Sequence, residues 1–319
     1  MIAETNRFVY ALFYAENLTV LTIHSTLLED TFAEAFPMTA ARLIVTAHTP
    51  EWARIAGREA TGYAASVIGC DAEAGIECEL APEETPDGRP GISLLMFAFS
   101  REALQKAVVN RVGQCILTCA TTACYNGLPL VKDKTIRIGG NLRFFGDTFQ
   151  FSKKLDGRRF WRVPVMDGEF VCEDVFGTIK GVAGGNFLIL GESQAAALAA
   201  AEAAVAAMGQ IRGVICPFPG GIVRSGSKVG SRYKKLKAST NDAYCPTLRG
   251  LVASALPESV NAVYEIVIDG LDLAVVEQAM HAGIEAACRP GIVRISAGNY
   301  GGHLGPFHIP LQKLFAGKT

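Results

Sequence analysis

The sequence predicts an α+β protein of two ferredoxin-like (split βαβ) lobes related by internal duplication, and three observations carry that expectation. The tetrapeptide EDTF at Glu29 to Phe32 recurs as EDVF at Glu173 to Phe176. Twelve residues after each Asp a strand-like run begins, RLIVTA at Arg42 and NFLILG at Asn186. Each run leads into an alanine-rich helical pattern, and each half then repeats the strand and helix once more.

Taken in order, residues 1–20 contain the apolar run FVYALFYA (Phe8 to Ala15), with Glu4 and Arg7 before it and Glu16 after it. It is too short to span a bilayer and lacks the basic start and small-residue cleavage site of a signal peptide, so it reads as an appended extension. In the first lobe, residues 21–167, the strand RLIVTA precedes a helix PEWARIAGREATGY with Pro50 in its first turn. ASVIGC is expected to be the next strand, followed by the strand GISLLMFAF and a helix REALQKAVVNRVGQCIL capped by Ser100. Asp167-Gly168, inside FWRVPVMDGEFVCED, predicts a hairpin that ties the lobes together. In the second lobe, residues 168–319, NFLILG leads into a helix capped by Ser193, then the run GVICPF. A long basic loop over residues 217–246 separates these from the strand NAVYEIVID, a helix capped by Asp272 and a closing strand GIVRISAG.

Half of the 319 residues are hydrophobic and 19% are charged, the composition of a well-packed globular chain. A net charge of -1 and a pI near 6.5 supply no global attraction to nucleic acid or to an anionic membrane, so neither is an expected partner. Nine cysteines without a regular framework of short spacings fit a reducing cytoplasm. Cys115, Cys119 and Cys124 match neither a zinc pair nor a common iron–sulfur run, and no metal is expected.

The local exception to neutrality is GGIVRSGSKVGSRYKKLKASTNDAYCP, Gly220 to Pro246, with six basic side chains against one carboxylate. Gly221 and Gly226 have the separation of a phosphate-binding loop, but Ser227 and Lys228 stand in reverse order and no helix pattern follows, which excludes nucleotide triphosphate binding. The strand runs lack the aromatic and glycine pattern of an RNA-stacking sheet. One reading is an anion clamp in which Arg224, Lys228, Arg232, Lys234, Lys235 and Lys237 meet carboxylates or a phosphate, with Ser225 and Ser227 as neutral donors; the other is a solvated turn.

In NAVYEIVID, strand periodicity puts Val263, Glu265 and Val267 on one face and Tyr264, Ile266 and Ile268 on the other. Glu265 is thus a carboxylate between two valines. It is either a solvent-facing or Arg-neutralised residue, or an acid whose apolar surroundings keep it protonated.

The stretches LLEDTFAEAF, ECELAPEETPDGRPG, CPFPGGIVRSGSKVGS, ASTNDAYCPT, VYEIVIDGL and ISAGNYGGHLGP together resemble the formylmethanofuran:tetrahydromethanopterin formyltransferase family, over essentially everything after Val20. His303 stands where the family pattern leads one to expect Lys. The resemblance implies formyl transfer between the amine of methanofuran and N5 of tetrahydromethanopterin in one-carbon metabolism. These two coenzymes act as substrates, with no tightly bound cofactor and no metal. It implies homo-oligomers, typically tetramers, and, in aerobic methylotrophs, a complex with formylmethanofuran-hydrolysing subunits in which the chain could serve mainly for docking. It marks Glu265 as the active-site acid, with Asn241 and Tyr244 as catalytic neighbours and Phe218, Arg224, Ser225, Ser227, Lys228, Thr240 and Asp242 as substrate-binding residues. The basic loop then meets the glutamate-rich chain of methanofuran or the phosphate and carboxylate groups of tetrahydromethanopterin. A covalent route through Cys245 is disfavoured, because Pro246 follows it and no histidine lies nearby in sequence.

Overall fold

Apolar side chains at alternate positions of strand β1 (Phe32–Thr46) give it two apolar faces, and the computed structural model, which describes residues 21–316, buries both. Ala41, Leu43 and Val45 pack beneath helix α1 (Pro50–Thr61), while Met38 and Ala40 face a separate cluster. Strands β2 (Glu73–Leu80) and β3 (Gly91–Ala98) follow, then helix α2 (Arg101–Arg111) and strand β4 (Ala123–Asn126). All eight residues of β3 are buried, with Ile92, Leu94 and Met96 toward the helices and Leu95 and Phe97 away from them, which accounts for its unbroken apolar run.

A hairpin of β5 (Arg158–Val165) and β6 (Gly168–Glu173) then leads to β7 (Ile179–Gly191), α3 (Gln194–Met208) and the two-residue β8 (Val214–Ile215). The chain closes with β9 (Ala262–Gly270), α4 (Leu273–Ala287), β10 (Ile292–Ser296) and β11 (Phe307–Pro310). The product is a mixed α+β architecture around a 14-stranded sheet. The first half pairs its strands in the order β2-β3-β1-β4 and the second in the order β8-β9-β7-β10, antiparallel throughout. The first residues of β7 pair with the middle of β1, Gly181 opposite Met38, and join the halves into one sheet.

Helix starts follow the capping residues in the sequence. Ser100, Ser193 and Asp272 accept the backbone N–H of Ala103, Ala196 and Val275 at 3.1, 3.2 and 2.9 Å, and Thr49 does so for Trp52 ahead of Pro50. The alanines of α3 recur at helical spacing (Ala197, Ala200, Ala201, Ala204) and let it pack closely on α4 and on Phe187, Ile189 and Ile266. Gly57 serves the same end in α1, where a Cβ would stand 2.1 Å from Ile92 Cδ1.

Two local expectations are corrected. ASVIGC is not a strand: Gly69 and Cys70 donate back to the Ser66 carbonyl in turns, and Glu73–Leu80 supplies the strand instead. The helix expected over 101–117 ends as α-helix at Arg111 and continues as a wider π turn, which keeps Val112 and Ile116 both in the core. The Asp167-Gly168 hairpin forms, and its second strand, β6, pairs in parallel with β4, so that Phe170 and Cys172 join the core of the first half.

Between the halves lie two buried carboxyls that interact with each other, Glu73 on β2 and Asp269 on β9. Val67 N–H donates to Glu73 at 3.0 Å and Gly184 N–H to Asp269 at 3.1 Å, where Gly184 (φ +88) sits in a bulge of β7. Burial pushes both groups above the ordinary carboxylate range. A carboxyl raised in the folded state stabilises fully below its unfolded value of about 4, and that stability is lost as pH rises through the folded value. Stability should therefore fall with rising pH by on the order of 1 kcal/mol per unit for each proton released. Asp269→Asn should flatten that decline in urea unfolding between about pH 5 and 9; equal slopes in the two proteins would show that this pair of carboxyls does not set it.

Candidate active site

A cavity of about 880 Å³ opens beside β7, β9 and β10, and Glu265 lies in its wall. In the sheet register Glu265 stands opposite Leu188, which stands opposite Ser296, so these three share a face, with Asn186 and Val267 paired beside them. Tyr264, Ile266 and Ile268 point to the other face, into the core under α3 and α4. The free edge of β9 at Glu265 is covered by an incoming segment: Val223 N–H donates to the Glu265 carbonyl at 2.8 Å, and Glu265 N–H to the Val223 carbonyl at 3.1 Å. The Glu265 side chain is therefore enclosed, and the residue is 4% exposed.

Four residues beyond Val223, the Ser227 hydroxyl donates to Glu265 Oε1 at 2.6 Å. Oε2 has no hydrogen-bond partner. Burial raises the Glu265 carboxyl above its ordinary range, opposed by the Ser227 hydroxyl and N–H. With Oε1 accepting from Ser227, Oε2 is the oxygen left without a partner, and it is buried beneath the cavity wall.

The basic loop folds as a hairpin, Lys228–Val229 against Ala238–Ser239. Gly226 makes its closure possible, with φ +73 and a would-be Cβ only 2.8 Å from Asn241 Cβ. Ser227, Lys228, Asn241, Asp242 and Tyr244 come together on the cavity wall, with Phe218 beside them. Lys228 Nζ lies 2.6 Å from Asp242 Oδ1, and this contact holds the Asp242 carboxyl below its usual range. Tyr244 places its hydroxyl 3.4 Å from Ser296 Oγ and packs its ring on the cluster of Leu188, Leu190 and Val260. Thr240, Arg224 and Ser225 are exposed and do not line the cavity; Thr240 Oγ1 lies 3.2 Å from Cys245 Sγ, and Ser225 donates to the Gly226 carbonyl. Of the six cations, Lys237 borders the cavity, and Arg232, Lys234 and Lys235 stand exposed on the hairpin.

Several wall residues escaped the reading of the sequence. Glu34, 1% exposed, accepts Tyr300 N–H at 2.9 Å and Leu304 N–H at 3.3 Å on Oε2, and its Oε1 has no partner. Tyr300 donates its hydroxyl to the Ser227 carbonyl at 3.1 Å and accepts Val229 N–H at 2.7 Å. Asn186 accepts Gly298 N–H at 2.6 Å and donates to the carbonyls of Gly184 and Gly298. Tyr300 lies in ISAGNYGGHLGP and Glu34 in LLEDTFAEAF, strings that could have found them; Asn186 opens the strand run NFLILG with nothing in it to mark a site.

The arrangement suits proton donation to a developing oxyanion or leaving group: a buried carboxyl raised above its ordinary range, Glu265, beside hydroxyl and amide donors and the Lys228–Asp242 ion pair. Among the described residues no group of three or more His, Cys, Asp or Glu could hold a metal ion, and no helix is long and apolar enough to cross a membrane.

The family model described as formylmethanofuran-tetrahydromethanopterin formyltransferase matches residues 21–165, and its companion, the FTR proximal lobe, matches residues 168–314. A formylmethanofuran–tetrahydromethanopterin formyltransferase of Methylobacillus flagellatus is 57% identical over 302 residues, covering 93% of this chain and all of the relative. The formyltransferase structure from Methanosarcina barkeri superposes with a TM-score of 0.88 at 50% identity, over 92% of this chain and 100% of that one. The formyltransferase/hydrolase complex from Methylorubrum extorquens, solved with methylofuran, contains a chain that superposes with a TM-score of 0.89 at 52% identity, over 92% of this chain and 98% of that one. Sequence, fold and near-complete coverage in both directions agree, and the chain belongs to the formylmethanofuran–tetrahydromethanopterin formyltransferase family.

Proposed function

We propose that the chain transfers a formyl group between the amine of methanofuran and N5 of tetrahydromethanopterin, directly and within a ternary complex. The observation that carries this reading beyond family membership is the Glu265 carboxyl, buried, held by Ser227 through one oxygen and unpartnered at the other beside a cavity large enough for coenzyme head groups. N5 attacks the formyl carbon, forming the new C–N bond and a tetrahedral oxyanion; the old C–N bond then breaks. Glu265 gives its proton to the departing amine and recovers one from N5, so that the acid is regenerated. Asn241 and Tyr244 supply neighbouring donors, with Phe218, Ser227, Lys228 and Asp242 holding the substrates. Arg224, Ser225 and Thr240 meet parts of the coenzymes outside the cavity, as do the cations of the hairpin, for which the acidic tails are the counterpart. The coenzymes come and go as substrates, with no bound cofactor.

The two halves are read as ferredoxin-like lobes from an internal duplication, residues 21–167 and 168–319, after an extension of residues 1–20. The shared strand order and the repeated strand-helix pattern support this. The nine free thiols support a cytoplasmic location, and a homotetramer is the proposed assembly. A second reading, a docking subunit with little activity alone, draws on the Methylorubrum chain that sits in a formyltransferase/hydrolase complex. An absorbance assay of 5-formyl-tetrahydromethanopterin formation from formylmethanofuran, with the purified chain alone, separates the two. Turnover is expected; a folded chain without turnover would favour the docking subunit.

A further inference from the structure

We propose that Tyr300 is a positioning residue for the active-site acid, its hydroxyl clamping the basic hairpin so that Ser227 stays hydrogen-bonded to Glu265. The inference rests on the reading of Glu265 as the acid. Ser227 sits at the entry of an exposed, positively charged hairpin, whose two-stranded pairing spans Lys228–Val229 and Ala238–Ser239 and is extended by Gly230 N–H to the Lys237 carbonyl and the Ser239 hydroxyl to the Gly230 carbonyl. Such a short ribbon does not fix its base to the precision that a proton donor needs. The Tyr300 hydroxyl supplies the missing tie, because it donates to the Ser227 carbonyl and accepts the Val229 N–H, holding the backbone on both sides of Lys228.

A clamp works only if it is itself held, and Tyr300 is. Its N–H and that of Leu304 converge on Glu34 Oε2, and the neighbouring Asn299 donates to Thr31 Oγ1 and the Phe32 carbonyl at 3.0 and 3.1 Å. Glu34 belongs to β1, the longest strand of the sheet, so the line from β1 through Tyr300 to Ser227 and Glu265 runs from rigid framework to reacting group. The charged groups around the Tyr300 hydroxyl are Glu265, Lys228 and Glu34, and its burial keeps it protonated as a donor.

Tyr300→Phe deletes one oxygen and keeps the ring. Its kcat is expected to fall by about 10- to 100-fold, with KM for both coenzymes within about threefold of the wild type. Losing the Ser227 hydrogen bond, which opposes the raised value of Glu265, should move the alkaline limb of the kcat profile to higher pH. Ser227→Ala should move the limb in the same direction, and the double variant should show no further shift and no multiplied loss. An alkaline limb at the wild-type pH in Tyr300→Phe, or losses that multiply in the double variant, would overturn the proposal. Glu265→Gln run alongside separates the two layers: full activity there removes the acid and the clamp together, whereas its collapse beside an unaltered Tyr300→Phe removes the clamp alone.

Discussion

Glu265→Gln is expected to lower kcat by about 10²- to 10⁴-fold, the range for losing a general acid, while KM for the two coenzymes changes little. The glutamine fills the same space, and its amide still accepts from Ser227 and still offers an N–H to the cavity. What it cannot do is release a proton to a departing nitrogen, so the variant isolates proton transfer from hydrogen bonding and shape. Burial raises the Glu265 carboxyl, so the competent protonated form persists to higher pH than an exposed glutamate would allow and is lost as pH rises through the folded value. The wild-type kcat profile should decline on that side, and residual turnover in Glu265→Gln should lack that limb. Stopped or steady-state assays across pH read both effects, and an unchanged kcat would falsify the assignment of Glu265 as the acid.

The second large effect concerns stability rather than chemistry. Glu77 on β2 receives Arg42 Nε and Nη2 of β1 at 2.8 and 2.6 Å, the Ser93 hydroxyl of β3 at 2.6 Å and Gly213 N–H at the start of the second half's β8 at 2.6 Å. Its side chain is 1% exposed, so the four donors aimed at it converge on a buried carboxylate. Glu77→Ala leaves a guanidinium, a hydroxyl and a backbone N–H facing a hole. A loss of about 3 to 5 kcal/mol is expected in urea unfolding, with a fall in melting temperature on the order of 10 °C. Glu77 does not line the Glu265 cavity, so the fraction that stays folded should keep a near-normal KM. A loss below about 1 kcal/mol would mean that the group contributes no more than an exposed ion pair.

Local physics was legible in the residues. Ser100, Ser193 and Asp272 marked helix starts because a cap needs only its own side chain and the N–H three residues on. Alternation assigned the faces of β9, including Glu265 between Val263 and Val267, because successive side chains of a strand must point to opposite sides. The family strings reached further, since they carry long-range information in compressed form. ASVIGC failed as a strand for the complementary reason: its apolar content fits a strand, but Ser66 and Gly69 close turns and the pairing partner β3 was taken by Glu73–Leu80.

The sequence by itself placed a strand at ASVIGC and did not mark β4 or β11, but it determined the α+β class, the helix caps and which side chains of β9 share a face with Glu265. Only the tertiary structure decided that this face is enclosed, that the basic segment doubles back as a hairpin with Ser227 on Glu265, and that Glu34 and Tyr300 stand behind it. The physical reason is separation: alternation and capping are fixed by neighbours along the chain, whereas the Glu34–Tyr300 hydrogen bond joins residues 266 apart and the Ser227–Glu265 bond residues 38 apart. Burial, and with it the raised Glu265 carboxyl, is a property of everything that packs around a group, and it exists only once those distant segments have met.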